Sequence, residues 1–216
     1  DNPAPDAAAP AHTVRMAVRR GARTHIAQVD LSVTGNDHAN GVDLKRRQAQ
    51  LQRGWGLAEG EPFTQQAWDD AKAQGLRSLQ ARRYPTAQIA DSRADIDADQ
   101  ARADLMVHYD SGPAYRFGPL QMRGGERYDS VGLARIARLP TGTDYSEARL
   151  LDTQQRLAAS GYYDSVFLTL DTEAADPQAA TVIAQVRDAP LQKLVFGVGI
   201  STDSGPRLSM DHIHNR

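Results

Sequence analysis

The sequence predicts an α+β fold built from tandem copies of one small domain, and three observations lead to this prediction. A helical pattern passes directly into a strand pattern between Ser146 and Leu170. The same order of patterns occurs earlier in the chain, over residues 60–90. Alternating apolar strands also recur near residues 14, 105 and 182, each followed by a turn. A fixed order of elements with a variable spacing is typical of tandem domains.

The helical part of the repeat has recognisable ends. Ser146 can cap the N-terminus, and Glu147 places an anion where the helix dipole favours it. Gly161 stands where a left-handed residue would end the helix. The face predicted to be buried carries Leu150, Leu157 and Ala158.

The strand that follows shows a period of two residues. Val166, Leu168 and Leu170 are predicted to point towards one side of the sheet, and Phe167 and Thr169 towards the other. The sequence therefore predicts a half-buried strand directly after the helix.

The earlier copy aligns with this one in two blocks. Residues 60–68 match 142–150, so that Thr64 takes the place of Ser146 and Trp68 takes the core position of Leu150. Residues 79–89 match 157–167. The distance from cap to first tyrosine is 84 − 64 = 20 residues in one copy and 162 − 146 = 16 in the other. Because the difference is close to one helical turn of about 3.6 residues, the buried face keeps its phase.

Each complete copy has the order strand, helix, helix, strand, strand. The elements predicted for the first copy are Ile26–Val33, Val42–Arg53, Thr64–Arg83, Ala87–Asp97 and Ala101–Tyr109. Those predicted for the second are Tyr115–Met122, Asp129–Arg138, Ser146–Ser160, Tyr163–Leu170 and Thr181–Arg187. We therefore predict domains at 22–112 and 113–189. Residues 1–21 would be the loop and last strand, Val14–Val18, of a preceding domain, and 190–216 a separate terminal segment.

This order resembles the polypeptide-transport-associated (POTRA) domains of outer-membrane assembly proteins. Gly161–Val166, GYYDSV, is similar to the glycine-aromatic step from the second helix to the second strand in that family. The first copy departs from the pattern, because Arg83 replaces the glycine. The resemblance implies a three-stranded mixed sheet with two helices packed on it in each domain.

The terminal segment alternates apolar and small residues. Leu194, Phe196, Val198 and Ile200 would form an apolar face, a pattern typical of membrane barrel strands. The stretch 197–207, GVGISTDSGPR, resembles the first barrel strand and turn of the TamA family, with Thr202–Pro206 as the turn. The residues that carry this resemblance are Gly197, Gly199, Ser201, Asp203, Gly205, Pro206 and Arg207.

The resemblance implies a periplasmic part of an outer-membrane protein. Such a module would guide unfolded autotransporter or outer-membrane substrates to its barrel and dock a TamB-like inner-membrane-anchored partner. Small sheets have open edges to which an extended chain can add a strand. The edge residues predicted to bind substrate or partner are Tyr163, Ser165, Phe167, Thr169, Ala87 and Ile89. Among them, Thr169 is predicted to face outward, so that a proline there would remove a donor without breaking the sheet.

Two alternatives stay open at this point. The chain could belong to a two-partner-secretion transporter or a barrel-assembly subunit, or it could be an unrelated α+β scaffold protein.

Composition and motifs restrict the other classes of function. A formal net charge of −2 and a pI near 6.3 do not favour nucleic-acid binding. The chain has no cysteine, which excludes disulfides and zinc–thiolate sites. We find no nucleophile elbow, P-loop or pair of catalytic carboxylates, and we expect neither catalysis nor a cofactor or metal.

Overall fold

The structure is a computed structural model that describes residues 21–35, 42–125, 127–173, 176–190, 192–201 and 205–214. The strand predicted at Val14–Val18 lies outside these residues. The strands are β1 (His25–Thr34), β2 (Gln88–Asp97), β3 (Arg102–Asp110), β4 (Phe117–Arg123), β5 (Tyr163–Leu170), β6 (Ala180–Asp188), β7 (Gln192–Ser201) and β8 (Gly205–His214). The helices are α1 (Val42–Arg53), α2 (Gln65–Gln80), α3 (Ser130–Ala137) and α4 (Glu147–Ala158).

Two three-stranded sheets share one topology. In the first sheet β3 lies in the centre, parallel to β1 and antiparallel to β2. In the second, β6 is central, parallel to β4 and antiparallel to β5. Each sheet has its own cluster of buried apolar side chains, with Trp68 in the first and Leu150 in the second. The predicted α+β fold with mixed three-stranded sheets is confirmed.

Each sheet and its helices are called a unit below: β1–β3 with α1 and α2 form the first unit, and β4–β6 with α3 and α4 form the second. The second helix of each unit follows the predicted N-cap residue, but the two N-termini are not equivalent. The Thr64 side chain accepts a hydrogen bond from the backbone N–H of Ala67 at 3.2 Å. Ser146 has the extended backbone of an N-cap, yet its side chain makes no capping hydrogen bond. The amide of Glu147 instead donates to the carbonyl of Ala81 at 3.0 Å.

The buried stripe of α4 differs from the predicted one at one position. Leu150, Thr153 and Leu157 are buried, whereas Ala158 is exposed. At about 100° per residue, Ala158 lies roughly 80° to one side of Leu150, while Thr153 and Leu157 lie on the other side. The hydroxyl of Thr153 donates to the Arg149 carbonyl, which lets this polar residue occupy the core.

Gly75 on α2 is fixed by close packing against a buried tyrosine. The Tyr109 hydroxyl donates to the carbonyl of Lys72 at 3.1 Å, and burial raises the pKa of Tyr109 to about 12. A Cβ atom on Gly75 would lie 2.4 Å from this hydroxyl oxygen and 3.1 Å from a methyl group of Leu51. The helix can therefore approach the sheet this closely only with glycine at that position.

We predict that Gly75→Ala destabilises the first unit by about 1–3 kcal/mol through overpacking. Helix propensity alone would favour alanine by about 1 kcal/mol, so the two effects have opposite signs. Urea unfolding followed by circular dichroism measures the difference. In the Tyr109→Phe background the same change should cost less, because the nearest atom is absent. Equal costs in both backgrounds would contradict this contact as the cause.

Candidate functional site

The backbone of β5 has an inner row of amides and an outer row. The amide of Asp171 donates to Thr181 next to β6, which fixes the direction of the alternation. The amides of Phe167 and Thr169 therefore face β6, and those of Val166, Leu168 and Leu170 face away from the sheet. The prediction that Thr169 is an outward donor is wrong. Side chains point above and below the sheet, whereas backbone amides point sideways within it, and the Thr169 amide points towards β6. Proline at Thr169 would break the ladder between β5 and β6.

One of the three outward amides already has a partner. The amide of Leu168 donates to Oε1 of Gln154 on α4, at 3.0 Å. An analogous contact occurs in the first unit, where Nε2 of Gln80 on α2 donates to the carbonyl of Ala87 at 2.8 Å. In each unit a glutamine of the second helix thus covers part of the edge backbone. The outward amides of Val166 and Leu170 remain as the donors of the β5 edge.

The residues predicted for the edges lie in different environments. Ser165 is exposed, Phe167 is 57% exposed and Thr169 is half-buried, all on the side of β5 away from the helices. Tyr163 is buried in the core beneath the strand. Ala87 is also buried and precedes β2 by one residue, and Ile89 packs against the first core. Ala87 and Ile89 therefore do not form the exposed edge of the first unit, which lies farther along β2.

The β2 edge carries more charge than the β5 edge. Asp91, Arg93, Asp95 and Asp97 of β2 are exposed, and Arg93 forms an ion pair with Asp95 at 2.8 Å. Charged side chains are a common means of keeping edge strands from pairing. In β5 the only charged residue is Asp164, which forms an ion pair with Arg187 of the neighbouring β6. The β5 edge is thus the less protected of the two.

A bulge at Asp164 sets the register at the start of β5. Tyr163 pairs with Asp188 and Ser165 pairs with Arg187, so that Asp164 has no partner position on β6. Tyr163 is held inward by this bulge. Its pKa is raised first by burial, and then by the nearby charge of Asp188 and by Tyr128. A buried neutral phenol is consistent with packing and gives no indication of proton transfer.

Arg83 joins the two units through its backbone. Its φ of 63° is left-handed, as is the φ of 79° at Gly161 in the second unit. The Arg83 amide donates to the Tyr145 carbonyl at 3.0 Å, and its carbonyl accepts from the Tyr115 amide at 2.7 Å. The guanidinium Nε lies 3.6 Å from a carboxylate oxygen of Asp144. The repeat position where glycine is missing is therefore the contact point between the units.

We predict that Arg83→Gly changes the free energy of unfolding by less than about 1 kcal/mol. Relief of the left-handed strain, roughly 1 kcal/mol, is offset by the lost ion pair and by the greater freedom of glycine when unfolded. Arg83→Val should cost about 1–3 kcal/mol, because a β-branched residue fits this backbone poorly. Thermal unfolding of the two variants distinguishes these outcomes. Equal stability of both variants would show that the left-handed backbone is not required.

Strands β7 and β8 form an antiparallel hairpin with one apolar face. Phe196 pairs with Met210 and Val198 pairs with Leu208. These four side chains are between 65% and 83% exposed. On the opposite face, Gly197 pairs with Ser209 and Gly199 with Arg207. The predicted alternation of apolar and small residues is present in the structure.

The turn of this hairpin is shorter than predicted. Gly205 and Pro206 are paired with Ser201 and Ile200, so they belong to β8 rather than to a turn at Thr202–Pro206. The physical reason is that the pairing of β7 with β8 continues without a bulge from Gln192 to Ser201. Asp203 lies outside the described residues. Among the helices that the structure describes, none is long and apolar enough to cross a membrane.

Sequence reasoning did not identify Gln154 or the backbone contacts of Arg83 as features of the site. In the sequence, Gln154 is an ordinary polar residue of an amphipathic helix. Its contact with the Leu168 amide becomes visible only in the folded structure. The sequence did contain a signal for Arg83. A non-glycine residue at a glycine position of a repeat indicates that nearby contacts offset the strain of a left-handed backbone.

The comparisons with solved structures define a class of fold. The chain resembles BamA from Haemophilus ducreyi lacking POTRA domains 1–3, with a TM-score of 0.61 and 17% identity over 86% of this chain and 33% of that one. It also resembles POTRA domains 3–5 of BamA from Haemophilus influenzae, with a TM-score of 0.54 and 18% identity over 76% of this chain and 61% of that one. The two three-stranded sheets thus have the POTRA-type fold.

A third structure is more distant. CdiB from Acinetobacter baumannii matches with a TM-score of 0.41 and 13% identity, over 89% of this chain and 36% of that one. No family model matches the sequence. The chain spans about a third of the length of the H. ducreyi structure and less than two thirds of the H. influenzae structure.

Proposed function

We propose that this chain is a periplasmic POTRA module of an outer-membrane assembly factor of the TamA kind. It guides unfolded autotransporter or outer-membrane substrates to an adjoining barrel and docks a TamB-like partner. The binding step is the addition of an extended strand at an open sheet edge. The module has no catalytic activity and needs no cofactor.

The observation that carries this proposal is the β5 edge. The outward amides of Val166, Leu168 and Leu170 have the two-residue spacing of donors for a paired strand, and those of Val166 and Leu170 are not taken by Gln154. Exposed Phe167 lies between them and offers apolar contact to an added chain. Backbone hydrogen bonds carry no information about side chains, so such an edge accepts many sequences. This property suits a receptor for diverse unfolded substrates.

The hairpin β7–β8 supports the placement beside a membrane. A strand pair with an exposed apolar face and a small or polar opposite face is destabilised by water at the apolar face and stabilised when that face contacts lipid. Each fully buried apolar side chain of this size contributes about 1.5–3 kcal/mol. Four of the ten exposed large apolar residues in the described chain share this face, namely Phe196, Val198, Leu208 and Met210.

A two-partner-secretion transporter or a barrel-assembly subunit is the second candidate. The likeness to the BamA structures favours an assembly subunit as much as a TamA-like protein. The two candidates share the strand-addition step and differ in their partners, so binding of a TamB-like periplasmic protein would separate them.

Strand addition at β5 predicts opposite effects for two substitutions. Gln154→Ala frees the Leu168 amide, and one additional hydrogen bond of about 0.5–1.5 kcal/mol should strengthen binding roughly two- to tenfold. Val166→Pro removes an outward donor and should weaken binding by a similar factor. Fluorescence anisotropy with a ten-residue peptide of alternating apolar and polar residues measures the affinity.

Gln155→Ala is the matched control, since Gln155 is the exposed neighbour of Gln154 on the same helix. Circular dichroism verifies that each variant is folded. If Gln154→Ala and Val166→Pro both leave the affinity of the folded protein unchanged, β5 is not the strand-addition edge.

The apolar face of the hairpin predicts binding to lipid. Phe196→Asp and Val198→Asp should each reduce the fraction of the chain that floats with phosphatidylcholine vesicles, because a charged side chain on the lipid-facing side destabilises insertion. Ser209→Asp, on the opposite face, should have little effect. If Ser209→Asp reduces flotation as much as Val198→Asp, the assignment of the lipid-facing side is wrong.

A further inference from the structure

A basic cleft lies where the two units meet. It has a volume of about 490 Å³ and is lined by Arg47, Arg82, Arg83, Thr143, Asp144, Tyr145, Ser146 and Arg149. Four arginines thus surround one carboxylate, in a chain whose formal net charge is −2. The cleft is therefore a local concentration of positive charge that overall composition does not explain.

Two of the four arginines, Arg82 and Arg149, have no carboxylate partner among the described residues. Asp144 lies 3.6 Å from Arg83 and 3.2 Å from Arg116, a residue outside the cleft lining. Arg149 donates to the Thr143 hydroxyl at 3.1 Å. Within the described part of the chain, neither Arg82 nor Arg149 forms an ion pair with a carboxylate. Both side chains belong to exposed residues and can turn towards a bound anion.

Three separate segments hold the arginines around one point. Arg47 belongs to α1, Arg82 and Arg83 to the turn after α2, and Arg149 to the first turn of α4. The backbone bridge between Arg82 and Ser146 fixes the last two segments relative to each other. The two segments that carry Arg82, Arg83 and Arg149 are therefore held together by backbone contacts before any ligand binds.

The chemistry of the lining favours a phosphate group over a carboxylate. All four cations are arginines, whose planar fork matches the oxygens of phosphate and binds them by paired hydrogen bonds. A phosphate monoester carries about −1.5 to −2 charges on one small group, so it can meet several guanidinium groups at once. A single carboxylate carries one charge, and an acidic peptide distributes its charges over a longer path. Ser146, whose hydroxyl does not cap α4, adds a further donor to the lining.

We propose that this cleft binds a phosphate monoester or pyrophosphate group, with Arg82 and Arg149 as its mobile ligands and Arg47 and Arg83 as its fixed wall. The group can come from a soluble phosphate compound or from the headgroup of a phospholipid. Because residues of both units line the cleft, a bound phosphate group links them. This inference is independent of strand addition at β5.

Isothermal titration of the chain with inorganic pyrophosphate tests the proposal. We expect saturable 1:1 binding, and an affinity about tenfold lower in each of Arg82→Gln and Arg149→Gln, since each variant loses a charge-assisted hydrogen bond. Arg46→Gln is the matched control, because Arg46 is an exposed arginine of α1 that does not line the cleft. Its affinity should equal that of the unmodified chain.

Two further arms identify the source and the class of ligand. Flotation with vesicles that contain phosphatidic acid, set against pure phosphatidylcholine vesicles, tests the lipid source. Loss of the phosphatidic-acid effect in Arg82→Gln supports a headgroup site, and pyrophosphate binding without a vesicle effect supports a soluble ligand. The proposal is overturned if pyrophosphate does not saturate, if Arg46→Gln weakens binding as much as the cleft variants, or if a hexaglutamate peptide binds more tightly than pyrophosphate.

Discussion

The left-handed residue two positions after the C-cap of the second helix in each unit is the constraint on which the rest of the structure depends. It reverses the chain so that the edge strand runs back along the sheet beside the helix. Glycine adopts this conformation without strain at residue 161, whereas Arg83 adopts it at a cost that its contacts must offset. Both backbone groups of Arg83 are bonded to the second unit, so the strained residue is also the joint of the tandem.

The three-stranded sheet provides the open strand edge at which we propose that binding occurs. The central strands β3 and β6 have partners on both sides, and β2 and β5 each have one side without a neighbouring strand. The structure limits this openness in two ways. Charges line β2, and the side chain of Gln154 occupies one amide of β5. What remains on β5 is the pair of outward amides at Val166 and Leu170, beside the exposed side chain of Phe167.

Much of the fold could be predicted because the repeat shows the same pattern twice. Helix starts at Thr64 and Ser146, the burial of Trp68 and the alternation along β5 all follow from local periodicity. The features that could not be predicted depend on contacts between distant residues. The contact of Gln154 with Leu168 and the contact of Arg83 with Tyr145 each join residues that are far apart in the sequence, so local periodicity does not indicate them.

Residue-specific hydrogen exchange of the chain with and without an extended peptide tests the central claim most directly. If a peptide strand adds to β5, the amides of Val166 and Leu170 gain protection on binding. The amides of Phe167 and Thr169 change little, because β6 already protects them. Protection that appears along β2 instead, or equally at all four β5 amides, would contradict strand addition at the β5 edge.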